Sequence, residues 1–179
     1  MRLAEPLHGA HLTLRTLDVA DARGPYRAWL SDAEVLRYLE VRHDPDRLAT
    51  LERFIDEANA HPSTLLLGII LSADRRHIGN IKLGPIDFDH RRGDIGIMLG
   101  DTSVWGRGYA TEAISLLSEH AFGPLGLHKV AAGFYAGNAA SVRAFEKAGF
   151  RLEARLPDHW RTDHAWQDGL LMARVNTAF

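Results

Sequence analysis

Residues 104–113 have the sequence VWGRGYATEA, and this stretch decides how the whole chain is interpreted. Gly106 and Gly108 stand between a predicted strand and a run of helix-forming residues. A glycine pair at such a place can simply make a tight turn. It can also let an anion approach the first N–H groups of the helix, which lack intrahelical partners and carry partial positive charge. The sequence on either side of this stretch distinguishes between these two interpretations.

Two common phosphate-binding motifs do not fit this stretch. The loop of nucleoside triphosphatases requires G-x-x-x-x-G-K-[ST], a string that the chain does not contain. The dinucleotide fingerprint requires a third glycine where Thr111 stands, and it follows the first strand of a parallel βαβ unit. The strands predicted before residue 104 are instead joined by short polar turns, which indicates an antiparallel meander.

The pattern of apolar residues predicts one α/β domain over residues 1–179. Strands are expected at 11–17, 65–71, 77–83, 95–99, 127–136, 150–154 and 166–175. Helices are expected within 18–38, at 45–60, directly after Gly108, and from the N-cap Asn138 to Gly149. No linker or repeat divides the chain. The expected fold is therefore a mixed sheet of about seven strands in a single domain.

Composition and charge narrow the classes of partner. The 179 residues include 46% apolar and 25% charged residues, with a net charge of −2, so general attraction to nucleic acid or to an anionic membrane is not expected. The absence of cysteine excludes disulfides, thiolate metal ligands and a cysteine nucleophile. The N-terminal stretch lacks the apolar core of a signal peptide, and Leu65–Leu71 is too short to span a bilayer. We therefore expect a cytoplasmic protein.

Four stretches of the chain, in order, resemble the GNAT superfamily of acetyltransferases, and specifically its RimJ/RimL-like branch. They are HLTLRTL, IGIMLGDTSVWGRGYATEA, LHKVAAGFYAGNAASVRAFEKAGF and WQDGLLMARV. The resemblance implies a mostly antiparallel sheet with helices on both faces, splayed between its fourth and fifth strands. It also implies direct transfer of the acetyl group of acetyl-CoA to a primary amine in a ternary complex.

The same resemblance assigns the glycine-containing loop to the cofactor. The family's loop pattern, [QR]-x-x-G-x-[GA], falls on residues 105–110, with tryptophan at its first position. In relatives the backbone N–H groups of this loop hold the pyrophosphate of CoA. The implied cofactor contacts are Trp105, Gly106, Arg107, Gly108, Tyr109, Ala110 and Thr111, followed by Ile97, Met98, Asn138, Ser141, Phe145 and Lys147.

Amine attack on a thioester needs a base for the amine proton, because an alkyl ammonium has a pKa of about 10, and a donor for the oxyanion. As the oxyanion donor we expect a main-chain group near residues 97–99, with Met98 preferred. Asp94 and Glu40 are the candidate bases. Each has an alternative without a catalytic role, since Asp94 could be a solvent-facing turn residue and Glu40 a charge at a helix end.

The leaving thiolate needs a proton donor or a hydrogen-bond donor. Many superfamily members place a tyrosine seven residues after the asparagine that corresponds to Asn138, but here that position is Phe145, which has no proton to give. The resemblance to RimL-like relatives favours Ser141 instead, near the CoA sulfur. A serine in a first helical turn also needs no such role. Asn138 is expected to cap its helix and to help hold the pantetheine chain at the reaction centre.

The acceptor is the least specified partner. The residues predicted to border it are Tyr38, Glu40, Asp94, Trp160 and Trp166. Their aromatic rings slightly favour a small-molecule amine over a protein N-terminus. The segment with the two tryptophans either borders the acceptor entrance or forms an oligomer contact, so a homodimer remains open.

Two further expectations concern metals and the alternative function. Although the chain has 10 histidines, it contains no H-E-x-x-H or similar spacing, and direct attack needs no metal, so none is expected. Because Phe145 lacks the proton donor, a non-catalytic acyl-CoA-binding sensor or assembly module remains the alternative to an enzyme.

Overall fold

The computed structural model describes residues 1–39, 47–162 and 165–178. The strands within these ranges are β1 (Leu7–His8), β2 (Leu12–Thr16), β3 (Leu65–Leu71), β4 (His77–Asp87), β5 (Arg92–Leu99), β6 (Lys129–Tyr135), β7 (Arg151–Arg161) and β8 (Trp166–Val175). The helices there are α1 (Pro25–Trp29), α2 (Ala33–Leu36), α3 (Arg47–Ala60), α4 (Tyr109–Phe122) and α5 (Ala139–Lys147). Among these helices, none combines the length and apolar character that crossing a membrane requires.

The strands form one mixed sheet with the order β1-β2-β3-β4-β5-β6-β8-β7. Every neighbouring pair is antiparallel except β5 and β6, which run parallel and pair only from Arg92–Asp94 to Lys129–Ala131. Beyond this point the two strands separate. The predicted fourth and fifth strands are β5 and β6, so the expected splayed sheet is confirmed. The short β1 raises the strand number from the expected seven to eight.

Helices cover both faces of the sheet, as expected. Leu65, Leu67 and Ile69 of β3 belong to the core that α4 closes with its own apolar stripe. Leu66, which points to the opposite face, packs into a second core formed with α1 to α3. Because both faces are covered, the whole of β3 is buried, which explains its continuous apolar sequence.

Three element boundaries differ from the sequence prediction. The turn expected over residues 87–94 is shorter, because β4 extends to Asp87 and β5 begins at Arg92. Strand β7 extends to Arg161 rather than 154, so Trp160 lies in a strand and not in a loop. This extension is mostly exposed and polar, and cross-strand pairs such as Arg155 Nε to Asp168 Oδ2 at 2.6 Å stabilise it. Because polar pairs hold this part of β7, its sequence does not alternate between apolar and polar residues, and the pattern does not predict a strand there.

Candidate active site

An open cavity of about 740 Å³ passes through the gap between β5 and β6 and reaches both faces of the sheet. We call one part the loop half; its lining includes Trp105, Gly106, Gly108, Tyr109, Ala110, Thr111, Asn138, Ser141, Arg143 and Lys147. We call the other part the α1–α2 half; its lining includes Tyr26, Leu30, Glu34, Val35, Arg37, Tyr38, Asn80, Lys82, Met98 and Trp160. The splayed sheet therefore creates a passage with two chemically different ends.

The hydrogen-bond alternation along β5 shows which main-chain groups face the gap. The Gly100 N–H donates to the Ile78 carbonyl at 3.0 Å, and Met98 lies opposite Asn80 in the β4–β5 register. Because bonded and non-bonded pairs alternate in an antiparallel ladder, the Met98 N–H points towards β4. The N–H groups of Ile97 and Leu99 point towards the gap instead. An oxyanion donor in this stretch would therefore have to be the N–H of Ile97 or Leu99, and not that of Met98 as expected.

The facing edge of β6 has the same property. The Ala136 N–H donates to the Asp168 carbonyl at 2.8 Å, so the alternation directs the main-chain groups of Gly133 and Tyr135 away from β8 and into the gap. No heavy atom lies within 4 Å of the position that a Cβ would take at Gly133. An extended ligand with amide groups could therefore pair with both strands, as a third strand would.

The glycine-containing loop opens one side of the cavity at the start of α4. Gly106 and Gly108 have φ angles of 76° and 87°, and no atom lies within 4 Å of their missing Cβ positions. Gly108 is the N-cap of α4, and no side chain caps this helix. The first N–H groups of the helix are thus accessible to an anion. The Trp105 indole N–H donates to the Leu99 carbonyl at 2.9 Å, which fixes the loop to the end of β5.

Helix α5 supplies the next wall of the loop half. The Ser141 N–H donates to Asn138 Oδ1 at 3.2 Å, so Asn138 is the N-cap, as expected. The half-buried Ser141 hydroxyl borders the cavity and has no hydrogen-bond partner within the described ranges. Arg143 and Lys147 are spaced by one helical turn on the same face, and neither has an ion-pair partner in the described part of the chain. Such a pair favours a bound anion, because like charges at this spacing repel each other.

Phe145 lines the cavity and is at the same time part of the core. Its side chain is fully buried and packs edge-on against Phe134 and Phe150, with ring centroids 4.8 and 4.9 Å away. The ring thus supports the wall of the cavity from the core side. Because the ring is buried, we expect Phe145 to act through packing at the position where many family members have a tyrosine.

Three aromatic side chains border the α1–α2 half. Tyr135 stacks on Trp160 with ring centroids 5.0 Å apart, and Tyr38 lies 5.9 Å from Tyr135. The Tyr38 hydroxyl donates to the Gly137 carbonyl at 2.9 Å, which connects the end of α2 to the segment before α5. The structure therefore brings Tyr38 and Trp160 together at the cavity.

Other predicted residues are not brought to the cavity. Asp94 is exposed on the part of β5 that still pairs with Ala131 of β6, before the strands separate. Trp166 is exposed at the start of β8, and Arg107 points outward from the loop; neither lines the cavity. Glu40 lies outside the described residues. The structure thus gives no support to Asp94 as a base that contacts substrate.

Sequence reasoning missed Asn80 and Lys82, which lie on neighbouring positions of one face of β4. They share that face with Leu66 and Met98. Leu66 belongs to the core beneath α1 to α3, and Met98 packs against this core. A strand that is covered on both faces should be apolar throughout. The polar residues between Ile78, Ile81 and Leu83 are the signal that could have identified this face as a site.

Asn80 belongs to a small polar cluster with His77. His77 Nε2 lies 3.0 Å from the Gly79 carbonyl and 2.8 Å from Asn80 Oδ1. Because a carbonyl can only accept, Nε2 carries the hydrogen, and the Asn80 oxygen is the atom that faces it. Burial lowers the pKa of His77 below its ordinary value of 6.5, against the opposing effects of the Asn80 hydrogen bond and the nearby Asp21 carboxylate. The imidazole is therefore neutral at physiological pH.

We expect His77 to make stability depend on pH. Its pKa is lower in the folded than in the unfolded protein, so the stabilisation is complete above about pH 6.5 and is lost as the pH falls towards the folded-state value. The variant His77→Gln, which keeps an N–H donor, should lose less stability than the wild type between about pH 7 and about pH 5. Urea unfolding at both pH values measures this difference.

His120 should also contribute to the pH dependence of stability. Burial also lowers the pKa of His120, so part of the pH dependence should remain in His77→Gln. Equal losses in the wild type and His77→Gln would contradict the assignment.

The described residues contain no group of three or more histidine, cysteine, aspartate or glutamate side chains placed to hold a metal ion. The described residues therefore provide no set of ligands for a metal ion.

A sheet splayed between two parallel strands, with an uncapped helix start beside the gap, is typical of acyltransferases that bind CoA. The match to the acetyltransferase (GNAT) domain model covers residues 11–151, and the chain belongs to this family. The chain is an N-acetyltransferase, and its family uses acetyl-CoA.

Individual relatives agree with this family. An uncharacterized N-acetyltransferase p20 from Bacillus licheniformis is 28% identical over 157 residues, which are 87% of each chain. RimJ from Mycobacterium smegmatis, solved with CoA-disulfide, is 25% identical with a TM-score of 0.81 and covers 92% of this chain and 81% of its own. Spermidine N-acetyltransferase from Vibrio cholerae, solved with CoA and spermine, is 22% identical with a TM-score of 0.82, and covers 93% and 96%. At that identity the last likeness supports the fold alone.

Proposed function

We propose that the protein transfers the acetyl group of acetyl-CoA directly to the primary amine of a small molecule, with both substrates bound in one ternary complex. The observation that carries this proposal is the passage between β5 and β6, which is open to both faces of the sheet. A donor that enters from one half and an amine that enters from the other would meet inside the gap. Direct attack needs this meeting within about 3–3.5 Å.

The loop half is proposed as the CoA side. The bare N-terminus of α4, with Gly106 and Gly108 before it, suits the pyrophosphate, because N–H groups there have no other partner. Arg143 and Lys147 can neutralise further phosphate charge. The gap-facing main-chain groups of Ile97 and Gly133 suit the amides of the pantetheine chain. RimJ, solved with CoA-disulfide, supports CoA as the ligand that this side of the cavity has to hold.

The reaction is proposed to use Ser141 at the leaving thiolate. When the amine nitrogen bonds to the acetyl carbon, the carbonyl oxygen becomes an oxyanion that the N–H of Ile97 or Leu99 can stabilise. Water within the cavity takes one proton from the ammonium before the attack, so that a neutral amine is the nucleophile. The C–S bond then breaks, CoA leaves as the thiolate, and the second nitrogen proton also passes to water. The Ser141 hydroxyl can donate a hydrogen bond to the thiolate, since no protein group within the described ranges occupies it.

The acceptor is proposed to be a small molecule, because aromatic side chains from different elements converge at the α1–α2 half. Tyr38 is fixed by its bond to Gly137, and Trp160 by its stacking on Tyr135. A protein N-terminus, the acceptor suggested by the RimJ likeness, needs an open groove for the following residues. We therefore propose that the chain shares the architecture of the RimJ/RimL-like branch but acetylates a small-molecule acceptor.

The proposal is tested by calorimetric titration with acetyl-CoA, with ATP and NADH as controls, followed by an assay of CoA release with a panel of amines. We expect selective, near-stoichiometric binding of acetyl-CoA and amine-dependent release of CoA. In the same assay Ser141→Ala should lower kcat about tenfold, the value of one hydrogen bond to a charged group, while acetyl-CoA affinity changes little.

The controls separate enzyme from sensor. Ser103→Ala alters another serine, outside the cavity lining, and should leave kcat unchanged. Tight acetyl-CoA binding without CoA release for every amine would favour the non-catalytic acyl-CoA-binding module. Unchanged kcat in Ser141→Ala would remove this hydroxyl from the mechanism, and failure to bind acetyl-CoA would refute the proposed function altogether.

A further inference from the structure

We infer that Asn80 and Lys82 form a subsite for an anionic oxygen group on the acceptor, so that the preferred substrate is an amine that also carries a carboxylate or a phosphate. This inference rests on the proposed function and names the acceptor class more closely. Two independent observations carry it, each made on the described residues: a buried amide nitrogen without a hydrogen-bond partner, and an ammonium group on the same strand face without an acidic partner.

The first observation is the Asn80 amide. The side chain is only 4% exposed, and its Nδ2 is buried without a hydrogen-bond partner in the described structure. The amide orientation is fixed, because Oδ1 faces the N–H of His77. The donor Nδ2 is therefore the end left over. An unpaired buried donor costs about 1–3 kcal/mol, so a ligand oxygen that accepts from it recovers a real loss.

The second observation is the position of Lys82. Its Cα partner on β5 is Gly96, beside whose Cβ position no atom lies within 4 Å, so no side chain from that strand covers the lysine. Lys82 is half-buried, borders the cavity, and has no ion-pair partner within the described ranges. Asn80 and Lys82 are two residues apart on one strand face, about 7 Å along the strand. One carboxylate or phosphate can reach both.

Access to the amide passes by Met98. Met98 lies directly opposite Asn80 in the register, so their side chains are neighbours on the same face. Its long unbranched side chain is adaptable and can move aside for a ligand oxygen. The same position, next to the gap-facing N–H groups of β5, would keep the oxygen group of the acceptor close to the amine that attacks.

The charges of the cavity support an acceptor of this kind over a polyamine. Its described lining contains four basic side chains and one acidic one; the basic ones are Arg37, Lys82, Arg143 and Lys147, and the acidic one is Glu34. If CoA phosphates occupy Arg143 and Lys147, two cations still oppose one carboxylate among the described residues of the α1–α2 half. A polycation would add repulsion there, whereas an amine with an anionic oxygen group gains attraction.

The test uses two pairs of amines that differ by the oxygen group. Lysine is compared with cadaverine, which lacks only the carboxylate, and 2-aminoethyl phosphate with ethanolamine, which lacks only the phosphate. With the wild-type protein and acetyl-CoA we expect kcat/KM to be about tenfold or more higher for at least one oxyanion-bearing member than for its partner. The pair that shows the preference identifies carboxylate or phosphate as the group recognised.

Two variants test whether these residues cause the preference. Asn80→Asp keeps an oxygen towards His77 but replaces the donor, and Lys82→Gln removes a charge that has no structural partner. Each should reduce the preference about tenfold, chiefly by raising the KM of the oxyanion-bearing amine. Lys129→Gln removes a lysine that pairs with Glu153 at 2.7 Å outside the cavity, and it should change none of these values. Lys82→Gln keeps the test valid if Asn80→Asp does not fold.

The outcomes separate this inference from the proposed function. Acetylation of cadaverine and ethanolamine in preference to their partners, or a preference that survives both variants, would overturn the subsite and leave the acetyltransferase function intact. If none of the four amines is acetylated, each is titrated into the protein–CoA complex, and equal binding or no binding within both pairs also overturns the subsite. A protein that fails to bind acetyl-CoA fails the proposed function itself.

Discussion

Replacement of Gly108 by valine is expected to reduce acetyl-CoA affinity at least about a hundredfold, because the new side chain blocks the approach of pyrophosphate to two or more N–H groups at the start of α4. Each hydrogen bond to a charged group contributes about 1.5–3 kcal/mol, so the loss of two accounts for this factor. The Cβ position of Gly108 is open and borders the cavity, so the valine would point into the space that the anion needs. Calorimetric titration with acetyl-CoA measures the effect.

Gly126→Val is the matched control for this variant. Gly126 also has a positive φ, of 62°, and open space at its Cβ position, but it lies in the turn after α4 and does not line the cavity. Both substitutions therefore carry a similar backbone strain of about 1–3 kcal/mol. Only Gly108→Val should lose acetyl-CoA binding. If the two variants bind acetyl-CoA equally well, the glycines make only a turn.

The features that sequence predicted well depend on local patterns. The buried strand Leu65–Leu71 and the apolar stripe of α4 follow from the spacing of their residues. The cap at Asn138 and the glycines before Tyr109 also act on their immediate neighbours. The splay was expected from the family resemblance, and the structure confirms it.

The features that sequence missed depend on pairing between distant segments. Whether the N–H of Met98 or of Ile97 faces the gap is decided by the register with β4, since a shift of one residue reverses every direction. Likewise, the surroundings of Asn80 and Lys82 depend on the residues of β5 that are paired with them, which are Met98 and Gly96. The polar, glycine-containing stretch before Asp94 predicts a turn there, although pairing with Ala131 of β6 makes Asp94 part of β5.

Phe145 shows how such tertiary context changes the meaning of one position. We expect Phe145→Ala to lower the free energy of unfolding by about 3–5 kcal/mol, because it leaves a cavity between Phe134 and Phe150 in a site without solvent access. Phe88→Ala, at a side chain that is 49% exposed in the turn after β4, should change the stability by no more than about 0.5 kcal/mol. Urea unfolding of both variants and the wild type measures the difference.

The same measurement with saturating acetyl-CoA distinguishes a packing role from a cofactor contact. A ligand that binds only the folded protein stabilises it according to its affinity, so a variant with unchanged affinity gains as much stability as the wild type. If Phe145 only supports the cavity wall, the gain on adding acetyl-CoA should be close to the wild-type value, although the variant starts from a lower stability. A loss below about 1 kcal/mol without ligand, together with a much smaller gain, would instead mean that the ring acts mainly on the cofactor. Because Phe145 cannot donate a proton in either case, a hydrogen bond to the thiolate has to come from another group, and we propose Ser141, which borders the cavity on the same helix.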